Sequence, residues 1–542
     1  MEPRAGQRRS GPARDGARGR KRGDRLTEAV AAHRQGALDA AAAIYRRILT
    51  AEPNHPDALH LLGLVRHQRG EQEGAIALIE RALRVSPTNA AYANSLGLAL
   101  LALGRPDDAE AALGRALACD PRLAEAHNNL GNARLRRGDA NGAADAYRQA
   151  IAVRPDYAEA HANLAAALRH AGDLPAARTA IEQALALRPG YAGALSTLGL
   201  IRHEQGDYTE ALAAYDQALA LEPAHATARA NRATLLLLLG RMEEGWREYE
   251  WRWRVEGFTT PRRDFARPAW EGEPLAGRTI LIHAEQGLGS AIQFVRYVPM
   301  VADRGGRVVL ECQPPLIRLF ASLMQGASGD AGLAAIVRKG DPLPAFDVHV
   351  PLMSLPRLFS TTLQSIPRPV PYLAIDPELG AQWRRRLATL PKPRIGVVWA
   401  GNPNHANDRN RSMPARALLP LLSLPGLSFV DLQVGSGLQG RTELGDMAPR
   451  PPGGDIADFA DTAAILAELD LVISVDTAVA HLAGALARPA WLLLPFVGEW
   501  RWLRERTDSP WYPTMRLFRQ THPGDWTGVI AAVGDTLRAQ RW

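Results

Sequence analysis

The chain has 542 residues and a formal net charge of +7, with apolar residues at 46% and charged residues at 22%. At ~150 residues per domain this allows about three to four domains, and the composition excludes wholesale disorder. The two cysteines, Cys119 and Cys312, are too few and too far apart for a disulfide framework or a four-cysteine zinc site, which fits a reducing compartment.

Residues 1–25 carry nine bases against three acids, so six of the seven net charges sit in one Gly/Arg/Pro-rich stretch. Without apolar periodicity it is expected to be a disordered basic tail, either solvated or an arm for anions or RNA. Nucleic acid is not an expected partner elsewhere, because the remaining chain is almost neutral. The tail lacks the apolar segment of a signal peptide, and no run of 18 apolar residues follows. A cytoplasmic chain without a membrane span is the expectation.

From about residue 26 the dominant signal is a period of 34. Pro53, Pro87, Pro121, Pro155, Pro189 and Pro223 keep that step, as do the seven glycines from Gly36 to Gly240. Ala41, Ala75, Ala109, Ala143, Ala177 and Ala211 recur between them, each followed four residues later by Tyr45, Ile79, Leu113, Tyr147, Ile181 or Tyr215. Leu62-Gly63, Leu96-Gly97, Leu130-Gly131 and Leu198-Gly199 put a small residue where two helices must approach, with Leu164-Ala165 as a variant. The pattern resembles the tetratricopeptide repeat. About seven helix pairs over residues 26–256 are expected, stacked as a solenoid because none can bury its apolar face alone.

The position before each Leu-Gly pair holds Leu61, Ser95, Asn129, Asn163, Thr197 and Asn231. This resembles the asparagine ladder of O-linked N-acetylglucosamine transferases, whose amides grip a threaded polypeptide. The resemblance makes Asn129, Asn163 and Asn231 candidate acceptor-peptide ligands on the concave face. Satisfying local hydrogen bonds is the competing role.

The aromatic run Gly245 to Trp253 is expected to dock the solenoid onto the next domain, and Pro261, Pro268 and Pro274 mark a linker at 257–278. Beyond it, strands are expected at Thr279 to His283, Arg307 to Cys312, Arg394 to Ala400, Leu427 to Leu432, Leu471 to Val475 and Trp491 to Leu494. Alternation with helical stretches predicts a parallel α/β architecture. The Pro-rich interval Ser365 to Pro377 divides it into lobes at 279–390 and 391–542. Two lobes across a cleft describe the glycosyltransferase-B arrangement, and equally a flavodoxin-like or kinase-like pair.

Three motifs bear on chemistry. Glu285-Gln286-Gly287-Leu288-Gly289-Ser290 follows a strand and opens a helix, where backbone N–H groups can meet an anion. Trp399-Ala400-Gly401-Asn402-Pro403-Asn404-His405, continued by Asp408-Arg409-Asn410-Arg411-Ser412, offers amides, an imidazole and guanidiniums suited to a pyrophosphate and sugar. Asp458 to Ala464, then the strand Leu471 to Val475, lead into Asp476-Thr477-Ala478-Val479-Ala480-His481, where a helix dipole favours negative charge. No Gly-x-Ser-x-Gly or P-loop occurs.

Residues 279–540 resemble the heptosyltransferase-like glycosyltransferases of family 9, whose Asp-Ser/Thr followed by His lies at the nucleotide-sugar site. The resemblance implies an all-α repeat solenoid followed by an α/β two-lobed glycosyltransferase-B-like fold. It implies Gly287, Gly289, Asn402, His405, Arg409, Arg411, Asp476, Thr477, His481 and Arg501 as donor ligands. Where the family has an aspartate base after the glycine, this chain has Ser290, so Glu285, with His283 second, is the expected base. No Asp-x-Asp metal bridge is present. A metal-independent, inverting transfer is expected, with a nucleotide sugar as substrate, no cofactor and a protein or other acceptor held by the repeats. The alternative is a scaffold whose transferase domain has lost activity.

Overall fold

A computed structural model describes residues 15–258, 260–325, 333–367, 369–405 and 407–542. The chain divides into two compact units, Met1–Arg202 and His203–Trp542. The division falls inside the expected solenoid, since the last repeat is built into the unit that holds both sheets.

The first unit is helical. The expected tail lies outside the described residues over 1–14, but from Asp15 the structure differs: a helix runs Asp15–Arg34 and pairs with Leu38–Ala51. Pairs follow at Pro56–Gln68 with Gln72–Val85, Ala90–Ala102 with Pro106–Cys119, Ala124–Arg136 with Ala140–Val153, and Ala158–Ala171 with Leu174–Leu187. Two kinds of glycine maintain the repeat for different reasons. Gly138 turns the pair Ala124–Arg136 and Ala140–Val153 at φ +82°, in the left-handed region, with open space where a Cβ would stand. Gly131 has ordinary backbone, but a Cβ there would lie 2.4 Å from the Tyr147 ring. The 34-residue step therefore encodes a backbone turn and a helix crossing separately.

The second unit begins in the helix Ala192–Gln205 and continues through Tyr208–Leu221, Ala226–Leu238 and Met242–Tyr249. Arg232, in the slot of a repeat leucine, pairs with Asp216 at 2.7 Å and Glu248 at 2.6 Å. The aromatic run docks as expected: Trp246 is buried, donates its indole N–H to the Thr361 carbonyl at 3.1 Å and meets Trp500 edge to face at 5.1 Å.

Two parallel sheets follow. The first comprises β1 (Thr279–His283), β2 (Arg307–Cys312), β3 (Leu333–Arg338) and β4 (Val348–Pro351), in the order β3-β2-β1-β4. The second comprises β5 (Arg394–Val398), β6 (Ser428–Asp431), β7 (Leu471–Val475), β8 (Ala490–Leu494) and β9 (Met515–Arg519), in the order β6-β5-β7-β8-β9. Every strand pair is parallel, and β5, β7 and β8 are buried throughout, as sheets covered on both faces require.

Two boundaries differ from expectation. Part of the 257–278 linker joins the first sheet, where Ala269 bridges His349 beside β4 and Trp270 is buried. The helix Pro377–Leu387 lies before residue 391 yet bonds to the second lobe, with the Trp383 indole N–H on Asp461 at 2.9 Å and Arg384 on Glu468 at 2.9 Å.

Candidate functional site

In each sheet the strand order reverses at one point, between β1 and β4 and between β5 and β7. The carboxyl ends of the strands at such a reversal point are the usual seat of ligands in open α/β sheets. The three motifs occupy these two points. Asp476 and Thr477 follow β7, the Trp399 to Ser412 loop follows β5, and the Glu285 to Ser290 loop follows β1.

The loop after β5 is shaped by side chains folding onto its own backbone. Gln433 accepts from the N–H groups of Trp399 and Ala400 at 3.2 and 3.0 Å and donates to the Ala400 carbonyl at 3.0 Å. Arg411 and Asp408 pack directly over Gly401, where a Cβ would lie 2.6 Å from Arg411 Nη2 and 2.8 Å from Asp408 Oδ1. Arg411 thus lies across the loop, paired with Asp408 at 3.1 Å, and its Nη1 donates to the Asp476 carbonyl at 3.3 Å. Asn402, His405 and Arg409 are exposed on the same loop. Burial and the neighbouring Arg411 charge lower the His405 pKa.

After β7, the Trp502 indole N–H donates to Asp476 Oδ2 at 2.9 Å, and burial raises the Asp476 pKa. Thr477, half-buried, shares a 3.1 Å hydrogen bond with Ser474 and precedes the helix Ala478–Ala485. Gln293, Glu499, Trp502 and Tyr512 complete this cluster. Only their neighbour Arg501 is named from the sequence; Gln293, Tyr512 and Gln433 carry no local sequence signal.

Several assigned roles change. His481 does not face the opening: it is 5% exposed, stacks on Trp502 at 5.2 Å and bonds Tyr512 through Nδ1 at 2.9 Å. Burial holds its pKa well below the usual value, so the ring is neutral packing. Gly289 is small for His481, since a Cβ there would lie 2.7 Å from the ring, whereas Gly287 is exposed with open space beside it. Arg501 is not available to a phosphate. It is 7% exposed, pairs with Glu499, and donates to Ser290 Oγ at 2.9 Å and to Gln293, tying the two lobes together. Asp458 caps the helix Phe459–Ala467 through the Ala460 N–H at 2.8 Å.

The expected bases also sit differently. Glu285 is 1% exposed, accepts from Arg252 Nη2 at 2.9 Å and from the Met353 N–H at 3.2 Å, and is pushed up to about 7 by burial. His283 packs against Phe265 and His349 under the 257–278 segment, with its pKa lowered by burial to about 3. Neither presents a proton acceptor to the crevice. Glu499, its side chain 31% exposed, is itself engaged by Arg501, which pairs with Oε1 through Nη1 and donates its backbone N–H to Oε2 at 3.0 Å, while desolvation raises the Glu499 pKa to about 7. Among the described residues no cluster of three or more His, Cys, Asp or Glu side chains could hold a metal ion.

The asparagine ladder is engaged between repeats. Asn129 donates to Asn94 at 2.9 Å, Asn163 donates to Asn128 at 3.0 Å, and Ser95 meets His60 at 2.9 Å, each across a step of 35 residues. These amides join neighbouring repeats. Asn231 lies in the helix Ala226–Leu238 of the second unit.

The class this architecture defines is a helix-pair repeat protein joined to two parallel-sheet lobes. The repeats are tetratricopeptide repeats: residues 94–148 and 128–192 match a tetratricopeptide repeat model, and residues 199–240 match a TPR repeat model. Residues 34–116 match the model for anaphase-promoting complex, cyclosome, subunit 3. Protein FlbA of Caulobacter vibrioides is 31% identical over 325 residues, 57% of this chain and 54% of that protein. The chain thus spans about half the length of the curated relative it matches. Crystal structures of MamA (29% identity, 30% of this chain and 95% of that one, TM-score 0.28) and of TTC0263, a thermophilic TPR protein in Thermus thermophilus (26%, 34% and 99%, 0.31), are similar to part of it. Among the described residues no helix is long and apolar enough to cross a membrane.

Proposed function

We propose that the second unit transfers a sugar from a nucleotide-sugar donor and that the repeats bring a protein acceptor to it. The observation that carries the reading is the β5/β7 reversal point, where Arg411 reaches the Asp476 carbonyl beside the start of the helix Ala478–Ala485. A donor diphosphate there meets Arg411, Arg409 and the positive end of a helix, so charge developing on the leaving group is stabilised electrostatically. Thr477 and Asn402 supply hydrogen bonds to the sugar. The transfer is a single displacement with inversion, in which the acceptor hydroxyl loses its proton as it attacks. Glu499, partly exposed and with its pKa raised by desolvation to about 7, takes that proton once its pairing with Arg501 is released. Glu285 instead supports the fold.

The second reading is a scaffold with an inactive transferase domain, favoured by the commitment of Arg501 to Glu499 and Ser290. Nucleoside diphosphate release from UDP-, GDP- and ADP-sugars separates the two. Donor-dependent release that falls in Glu499→Gln but survives in Glu285→Gln supports transfer. Equal background rates in wild type and both variants support the scaffold.

A further inference from the structure

The segment before β1 lines an open polar hollow. Arg262, Arg263, Asp264, Phe265, Arg267 and His349 line a cavity of about 460 Å³. Arg263 is committed to the buried Glu311. Arg262 and Arg267 are exposed and make no ion pair among the described residues, leaving two guanidiniums against Asp264. Phe265 forms an apolar wall, its ring 4.6 Å from His349 and 5.4 Å from His283. His349 Nδ1 is buried without a hydrogen-bond partner, as is Nε2 of His283, which lies outside the lining with its ring 5.5 Å from that of His349. Native folds seldom leave such atoms unmatched.

An excess of guanidinium beside an apolar wall suits one chemistry. Guanidinium forks match phosphate oxygens in pairs, which a lysine ammonium does not. The hollow also exceeds a bare phosphate, leaving room against Phe265 for the group that carries it. We propose that this hollow binds a phosphate ester, with Arg262 and Arg267 on its oxygens and His349 beside them. Burial and the charges of Arg262 and Arg263 together depress the His349 pKa, so the positive field reaches the ring and a bound anion reverses it.

The test is a titration of the full chain with phenyl phosphate and with inorganic phosphate, followed by calorimetry and by histidine ring ¹⁵N signals. Saturable binding of phenyl phosphate that shifts the His349 signal and weakens at least tenfold in Arg262→Ala/Arg267→Ala, at unchanged Tm, is the expected result. Arg411→Ala, which alters only the donor crevice, keeps wild-type phenyl phosphate binding. No saturable binding in wild type, equal binding in the double variant, or loss confined to Arg411→Ala overturns the proposal. So does binding of a structured RNA at concentrations where phenyl phosphate is silent, which assigns the arginines to a nucleic-acid face.

Discussion

Arg252 Nη2 donates to Glu285 Oε1 at 2.9 Å, joining the last turn of the repeats to the loop that leaves β1. Both side chains are buried, and Ser354 and Glu250 complete the network. Removing one partner strands a charge without solvent. Arg252→Ala is expected to cost about 3–5 kcal/mol, while an apolar replacement of both partners of similar volume costs much less. Guanidinium unfolding of the two variants checks this.

The two glycine types predict different penalties. Gly131→Ala drives a methyl into Tyr147, and overpacking of this kind costs about 1–3 kcal/mol. Gly138→Ala meets open space but keeps φ at +82°, for a strain cost of about 1–2 kcal/mol. Adding Tyr147→Leu recovers stability in the first case and none in the second, a contrast that thermal melts of the four variants resolve.

If the amides of Asn129 and Asn163 join repeats, each change to Ala lowers stability by about 0.5–1.5 kcal/mol without any ligand present. A peptide-gripping role alone leaves the melting temperature unchanged. Differential scanning calorimetry of Asn129→Ala and Asn163→Ala decides between them.

Buried groups set opposing pH dependences. The pKa of His283 falls from 6.5 to about 3 on folding, so below 6.5 the unfolded chain binds a proton that the folded one refuses. Its contribution is present above 6.5 and is lost as pH falls. Glu285 rises from 4.5 to about 7, so its contribution is present below 4.5 and is lost as pH rises through 7. Relative to wild type, His283→Asn flattens the acid-side fall in Tm and Glu285→Gln flattens the fall between 4.5 and 7.

The sequence reading reached furthest where one residue type answers one local demand. The repeat glycines and alanines report turns and crossings directly, and β1, β2 and β7 fall on their expected residues because their runs are aliphatic. β3, Leu-Ala-Ala-Ile-Val-Arg, reads as helix by its alanines; β4 is four residues ending in proline; β9 alternates with arginines. These strands form through sheet pairing, which their own sequence does not carry. The site followed the same division. Arg411 and Asp476 were legible from the loops they occupy. The inward turn of His481 and the capture of Arg501 depend on Tyr512, Gln293 and Ser290, which approach from distant segments.

The measurement closest to the central claim is isothermal calorimetry of UDP-, GDP- and ADP-sugars against wild type, Arg411→Ala and Arg262→Ala/Arg267→Ala. The account predicts that one donor binds the wild type, that binding weakens at least tenfold in Arg411→Ala, consistent with loss of a charge-assisted contact worth ~1.5–3 kcal/mol, and that the double variant binds normally. Unchanged donor affinity in Arg411→Ala, or no donor binding to the wild type, contradicts it.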